Sequence, residues 1–131
     1  MPLKEVRADE KEAPKAIGPY SQAIKAGHYV FVSGQIPLDP LTGLLDSGEI
    51  RGQTFRVLQN LEAVLKAAGC GLNNVVKTTI YLTDLSNFGV VNDIYGFRFA
   101  ADPKPARATV QVAALPKSAL IEMDCVAYLG D

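Results

Sequence analysis

An arginine on an alternating stretch is the residue of this chain best suited to bind an anion. In the run 105–112, Pro-Ala-Arg-Ala-Thr-Val-Gln-Val, polar residues alternate with small apolar ones. This period of two is typical of a β-strand and places Arg107 and Thr109 on one face. A guanidinium presents a rigid fork of N–H donors that matches a planar carboxylate. The stretch therefore indicates an anion site, with a structural ion pair to Glu122, Asp124 or a partner subunit as the alternative.

Two acids lie on the last alternating run, residues 120–128. Apolar residues at every second position predict a core face made by Ile121, Met123 and Cys125. Glu122 and Asp124 then share the opposite face. Paired acids on a strand most often face solvent. Because the sequence does not fix the strand register, whether Glu122 meets Arg107 stays open.

Three further residues have types that suit a pocket. Tyr20 follows the turn dipeptide Gly18-Pro19 and precedes a strand, so it is either a core aromatic or a pocket wall. Ser33 and Gly34 end the next alternating run. A glycine at a strand end lets a ligand or another backbone approach closely, and the serine hydroxyl both donates and accepts. A bulge or a simple strand end is the structural alternative.

The histidine and cysteine content limits the chemistry. The chain has a single histidine, His28, and it falls in a glycine turn, which disfavours a Ser-His-Asp triad. One histidine also excludes sites built from several histidines. Cys70 and Cys125 are too far apart in sequence to form a metal motif. We expect both thiols to be reduced and structural.

Length and charge restrict the class of protein. A chain of 131 residues fits one domain, residues 1–131, without repeats or linkers. A net charge of -1 and an isoelectric point near 5.8 give no general attraction to polyanions, so nucleic-acid binding is disfavoured. The first residues lack the apolar core of a signal peptide, and no segment is long and apolar enough to span a membrane. We expect a cytoplasmic protein.

The order of elements predicts the fold class. Strands are followed by a helix over 49–68, a strand, a second helix and two strands. Asp46 is expected to cap the first helix, with Glu49, and Ser86 the second. Asn92 falls off the apolar stripe of the second helix. We predict an α+β, two-layer sandwich with both helices on one face of a mixed β-sheet, and oligomerisation to cover the other face.

Five ordered motifs make the chain resemble a known family over nearly its whole length. They are IGPYSQA at 17–23, VSGQIP at 32–37, VKTT at 76–79, PARATV at 105–110 and IEM at 121–123. They resemble the successive motifs of the reactive intermediate deaminase A family, RidA, also called YjgF. The resemblance implies a chorismate-mutase-like fold assembled as a homotrimer, with sites in the clefts between subunits. It also implies hydrolysis of 2-imino acids such as 2-iminobutanoate and 2-iminopropanoate to 2-oxo acids and ammonia, without metal or cofactor.

The resemblance also implies roles for single residues. Arg107 would bind the substrate carboxylate, and Glu122 would orient or activate the attacking water. The expected pocket lining is Tyr20, Ser33, Gly34, Asn92 and Thr109. Some relatives carry cysteine where Thr109 stands, so a reactive thiol is not expected here. A sparse site of this kind suffices, because an imine carbon is already electrophilic and needs only positioning and proton transfer.

Two other functions compete with the deaminase. One is a regulatory trimer that binds small carboxylates without turnover, and the presence of both Arg107 and Glu122 argues against it. The other is an endoribonuclease or translation inhibitor, for which the chain offers no basic stripe and no histidine pair. The sequence does not indicate which imino acid side chain is preferred.

Overall fold

The computed structural model describes residues 2–130, which form six strands and two α-helices. The strands are β1 (Lys4–Val6), β2 (Ala23–Ala26), β3 (Tyr29–Gln35), β4 (Val75–Leu82), β5 (Ala106–Gln111) and β6 (Ile121–Tyr128). The helices are α1 (Ile50–Ala67) and α2 (Phe88–Arg98). Neither helix, nor any other within residues 2–130, is both long and apolar enough to cross a bilayer.

All six strands join one mixed sheet in the order β1-β2-β3-β6-β4-β5. The β4–β5 pair is parallel and the other neighbouring pairs are antiparallel. Helix α2 makes the crossover between the two parallel strands, because a parallel pair needs a long connection. In this strand order the last strand, β6, lies in the middle of the sheet, between β3 and β4, and β5 lies at one edge.

Both helices pack on one face of the sheet, as predicted. Leu58, Leu61 and Leu65 of α1 are fully buried in one cluster with Ile121 and Met123 of β6. Burying each of these side chains contributes roughly 1.5–3 kcal/mol to the free energy of folding. This packing holds β6, and with it Glu122, against the buried core.

Neither helix covers the other face of the sheet, called here the open face. Its side chains include Ile24, Tyr29, Phe31, Thr79, Tyr81, Val110, Glu122, Asp124, Val126 and Tyr128. Phe31 is 50% exposed, Tyr29 44% and Val110 41%. Apolar side chains thus lie uncovered on the face that also carries both acids of β6.

The predicted helix caps are wrong. Glu49, not Asp46, is the N-cap of α1, and its side chain makes no capping hydrogen bond. The backbone N–H of Glu49 donates to the Ser47 hydroxyl. Before α2 the chain makes a short 3₁₀ turn, and Asp84 rather than Ser86 accepts the capping hydrogen bond. Ser47 and Asp84, the residues that accept these hydrogen bonds, each lie within two residues of the predicted cap. The error therefore concerns the conformation of the loop before each helix and not the presence of the helices.

Candidate functional site

Three side chains of α2 hold the Arg107 guanidinium, and they are called here the arginine seat: Phe88, Asn92 and Tyr95. Arg107 Nη1 donates a 2.8 Å hydrogen bond to Asn92 Oδ1. Its Cζ lies 4.8 Å from the centre of the Tyr95 ring and 5.4 Å from that of Phe88, both within cation–π range. Within residues 2–130 no carboxylate forms an ion pair with it. Most of the five guanidinium N–H donors therefore remain available for an anion.

The sequence of α2 explains why this seat forms. Phe88, Asn92 and Tyr95 follow one another at spacings of four and three, so they share one helix face. The Tyr95 hydroxyl is 2.7 Å from Thr78 Oγ1, and Thr78 pairs with Arg107 across the β4–β5 ladder. Burial raises the pKa of Tyr95, which keeps its hydroxyl protonated. This spacing is a sequence signal that would have grouped Phe88 and Tyr95 with Asn92, although only Asn92 was predicted as a pocket residue.

Thr109 lies two residues beyond Arg107 on the same side of β5. It pairs with Ile80 of β4, whose side chain is fully buried on the helix side of the sheet. Its Oγ1 is shielded from solvent and has no hydrogen-bond partner among the described residues. A shielded hydroxyl without a partner is costly unless another group satisfies it. Arg107, Asn92 and Thr109 together with Phe88 and Tyr95 are called here the arginine half-site.

Glu122 lies in a different place, a cleft of about 430 Å³ between the N-terminal segment and the β3–β6 region. Three of the other predicted pocket residues line it as well: Tyr20, Ser33 and Gly34. None of the remaining lining residues was predicted as a pocket residue; they are Pro14, Lys15, Ala16, Ile17, Gln22, Gln35, Ile36, Leu38 and Pro116. This cavity is called here the glutamate cleft.

Gly34 makes room for the Glu122 side chain. The β3–β6 register shifts between Val32 and Gln35, so the Ser33-Gly34 pair sits in a bulge. A Cβ on Gly34 would collide with Glu122 Oε2 and would come within 2.8 Å of its Cδ. Ser33 is fixed beside it, because its hydroxyl donates to the backbone carbonyl of Ser21. The bulge and the cleft lining are thus the same feature, not alternatives.

The surroundings of Glu122 make it a stronger base than an ordinary glutamate. Burial raises the pKa of Glu122, and repulsion from Asp124 raises it further. Asp124 lies two residues along the same face of β6 and accepts a 3.0 Å hydrogen bond from the Tyr81 hydroxyl. That bond fixes the neighbouring charge in place. A carboxylate with a raised pKa accepts a proton more readily, which suits a general base.

One chain does not bring Arg107 and Glu122 together. Arg107 pairs with Thr78, and Thr78 pairs with Cys125, so Arg107 shares the helix side of the sheet with buried residues. Glu122 pairs with Tyr81 on the open face. Strand β4 also lies between them. With the usual spacing between strands and rise per residue, the strand pairing puts the Cα atoms of Arg107 and Glu122 roughly 14 Å apart. The seven predicted residues therefore form two separate groups, on opposite faces.

Comparison with known proteins places the chain in a family. A family model described as endoribonuclease L-PSP matches residues 10–129. The chain belongs to this family. A RutC family protein from Pyrococcus abyssi is 54% identical over 125 residues, covering 95% of this chain and 97% of that protein. The human 2-iminobutanoate/2-iminopropanoate deaminase is 49% identical over 119 residues, covering 91% and 86%.

The solved structures agree with the fold. A member of the conserved Rid protein family from Yersinia pestis, described as a protein of unknown function, superposes with a TM-score of 0.93 at 46% identity. The superposition covers 97% of this chain and 99% of that one. Membership of the RidA family, predicted from the five motifs, is confirmed, and so is the mixed sheet with two helices on one face.

Proposed function

We propose that the chain hydrolyses 2-imino acids, such as 2-iminobutanoate and 2-iminopropanoate, to 2-oxo acids and ammonia. The observation that carries this proposal is the division of the site into two incomplete halves. The arginine half-site can bind a carboxylate but has no base among the described residues that form it, whereas the glutamate cleft has a base and no arginine. Relatives named as 2-iminobutanoate/2-iminopropanoate deaminases support the reaction class.

The active site is completed by a second copy of the chain. The arginine half-site of one protomer faces the glutamate cleft of the next, in a homotrimer of the kind that the family resemblance implies. The uncovered side chains of Tyr29, Phe31 and Val110 support an assembly, since apolar patches on a sheet face usually mark an interface. The unpartnered Thr109 hydroxyl supports a group arriving from outside the chain.

The substrate carboxylate binds the free N–H donors of Arg107. Asn92 and the two aromatic rings hold the guanidinium at a fixed angle, so little rotamer freedom is lost on binding. A hydrogen bond to a charged group contributes about 1.5–3 kcal/mol. Thr109 offers its hydroxyl to the same ligand.

The chemical steps need only water and a base. Glu122 accepts a proton from water while the water oxygen adds to the C=N carbon of the protonated imine. The resulting carbinolamine carries an amine and a hydroxyl on one carbon. Glu122 returns the proton to nitrogen and the C–N bond breaks. As the carbonyl forms, the hydroxyl gives its proton to the departing ammonia, which leaves as ammonium. Ser33, Gly34 and Tyr20 line the cleft in which this water is held.

The test is an assay in which a threonine dehydratase supplies 2-iminobutanoate and the appearance of 2-oxobutanoate is followed. The wild-type chain should accelerate hydrolysis. Arg107→Ala should lower kcat/KM by about ten- to a hundredfold through loss of the charged hydrogen bonds. Glu122→Gln keeps the shape of the side chain but removes the base, so it should lower kcat. Normal acceleration by both variants would refute the proposal.

A further inference from the structure

A second cavity adjoins the glutamate cleft. It has a volume of about 460 Å³ and lies between the N-terminal segment, the 38–43 loop and Lys117. Four residues line both cavities: Pro14, Lys15, Ile17 and Leu38. The two cavities therefore adjoin along these residues, and the second one is called here the lysine cleft.

The lysine cleft is positively charged. Its lining includes Lys11, Lys15 and Lys117, and one acidic residue, Glu10. None of these three ammonium groups forms an ion pair within residues 2–130. By contrast, Lys66 is paired with a glutamate elsewhere on the surface. Three unpaired cations around a cavity in a chain of net charge -1 mark the cavity as a place for an anion.

The segment that carries Lys117 has a strained backbone. Lys117 has φ 56° and Ser118 has φ 60°, and both are non-glycine residues in the left-handed region. This conformation is unfavourable for residues that carry a Cβ, because the Cβ approaches the following carbonyl oxygen. Strain of this kind is concentrated at ligand sites. Pro116, the preceding residue, lines the glutamate cleft, so this segment joins the two cavities.

We propose that the lysine cleft binds a second anionic group of the substrate, which makes 2-imino acids with a side-chain carboxylate a preferred substrate class. This inference rests on the proposed function. The imine carbon reacts beside Glu122, and a side chain of one or two methylene groups passes Lys15 and Ile17 to place its carboxylate among the lysines. The lysines determine specificity and take no part in proton transfer.

A binding measurement tests the lysine cleft independently of turnover. Isothermal calorimetry compares 2-oxoglutarate with 2-oxobutanoate, two stable 2-oxo acids that differ by a side-chain carboxylate. The wild-type protein should bind 2-oxoglutarate about three- to tenfold more tightly, as exposed charge pairs allow, and added salt should reduce that preference. The double variant Lys11→Gln/Lys117→Gln should lose the preference. The control Lys4→Gln, at an exposed lysine on β1 that is not part of this lining, should retain it.

Equal affinities in the wild type, or a preference that survives in the double variant, would overturn the inference. The turnover arm compares iminosuccinate, made by an aspartate oxidase, with iminopropanoate. The ratio of their kcat/KM values should fall about three- to tenfold in the double variant. A wild-type chain that hydrolyses neither imine but prefers 2-oxoglutarate refutes the proposed function and leaves the anion site standing. Hydrolysis of both imines with an unchanged ratio refutes only the anion site.

Discussion

Replacing Gly34 by alanine should displace the Glu122 carboxylate and strongly slow catalysis without unfolding the chain. A Cβ at this position would come within 2.8 Å of Glu122 Cδ and 3.2 Å of its Cγ. Favourable carbon contacts lie near 3.5–4.0 Å, so the carboxyl group must move by about 1 Å. A misplacement of about 1 Å at a reacting group can lower the rate by about a hundredfold. We therefore expect kcat for 2-iminobutanoate to fall by about two orders of magnitude.

The fold should tolerate this change. Gly34 has no positive φ, so alanine fits its backbone, and the colliding atoms belong to the end of a flexible side chain. The melting temperature should stay within about 3 °C of the wild type, which corresponds to less than about 1 kcal/mol. The matched control is Gly48→Ala, since nothing lies within 4 Å of a Cβ placed there and its φ is not positive. The control should retain full activity.

The assay is the dehydratase-coupled formation of 2-oxobutanoate, read beside a thermal melt of each variant. A Gly34→Ala protein that melts normally and keeps kcat within threefold of wild type would show that the position of Glu122 does not matter for the reaction. The role given to Glu122 as base would then be wrong. A large fall in kcat for Gly48→Ala as well would show that the assay reports a general effect of loop substitutions.

Three further predictions follow from the same contacts. Asp124→Asn removes the repulsion that helps to raise the pKa of Glu122. Because the active form of Glu122 is the ionised carboxylate, the acid limb of the profile of kcat against pH should move to lower pH. An acid limb that does not move would show that Asp124 does not raise this pKa. Asn92→Ala frees the Arg107 guanidinium and should raise KM about three- to tenfold with little change in kcat, as kinetics on 2-iminobutanoate would reveal. Thr78→Val leaves the buried Tyr95 hydroxyl unpaired and should lower the free energy of unfolding by about 1–3 kcal/mol in urea melts. Adding Tyr95→Phe should recover most of that loss, and no recovery would argue against the hydrogen bond.

Much of the fold could be predicted because alternation and helical spacing report directly on burial. The Arg107 run and the β6 run have the faces that their period of two predicted. The helix caps could not be predicted, because they depend on how the preceding loop is tied down. Gln53 is buried and holds that loop by donating to the Ser47 carbonyl while accepting from the Leu120 N–H. Tertiary contacts of this kind leave no periodic signal.

The candidate site could be predicted only in part for a similar reason. Residue types identified Arg107 and Glu122, and the spacing on α2 could have identified the arginine seat. The separation of Arg107 from Glu122 depends on β6 pairing between β3 and β4, and such long-range pairing cannot be predicted from local patterns. The lysine cleft is formed by loops and a turn, where neither a period of two nor one of 3.6 applies.

The claim that a complete site takes its arginine and its glutamate from two copies of the chain can be tested by mixing two impaired variants. Arg107→Ala and Glu122→Gln proteins are unfolded together, refolded at equal amounts and assayed on 2-iminobutanoate. In randomly mixed trimers about one quarter of the sites would combine an intact arginine with an intact glutamate. We expect about one quarter of wild-type activity in the mixture, and only the low residual activity of each variant when it is refolded alone. A mixture no more active than its components would contradict this claim.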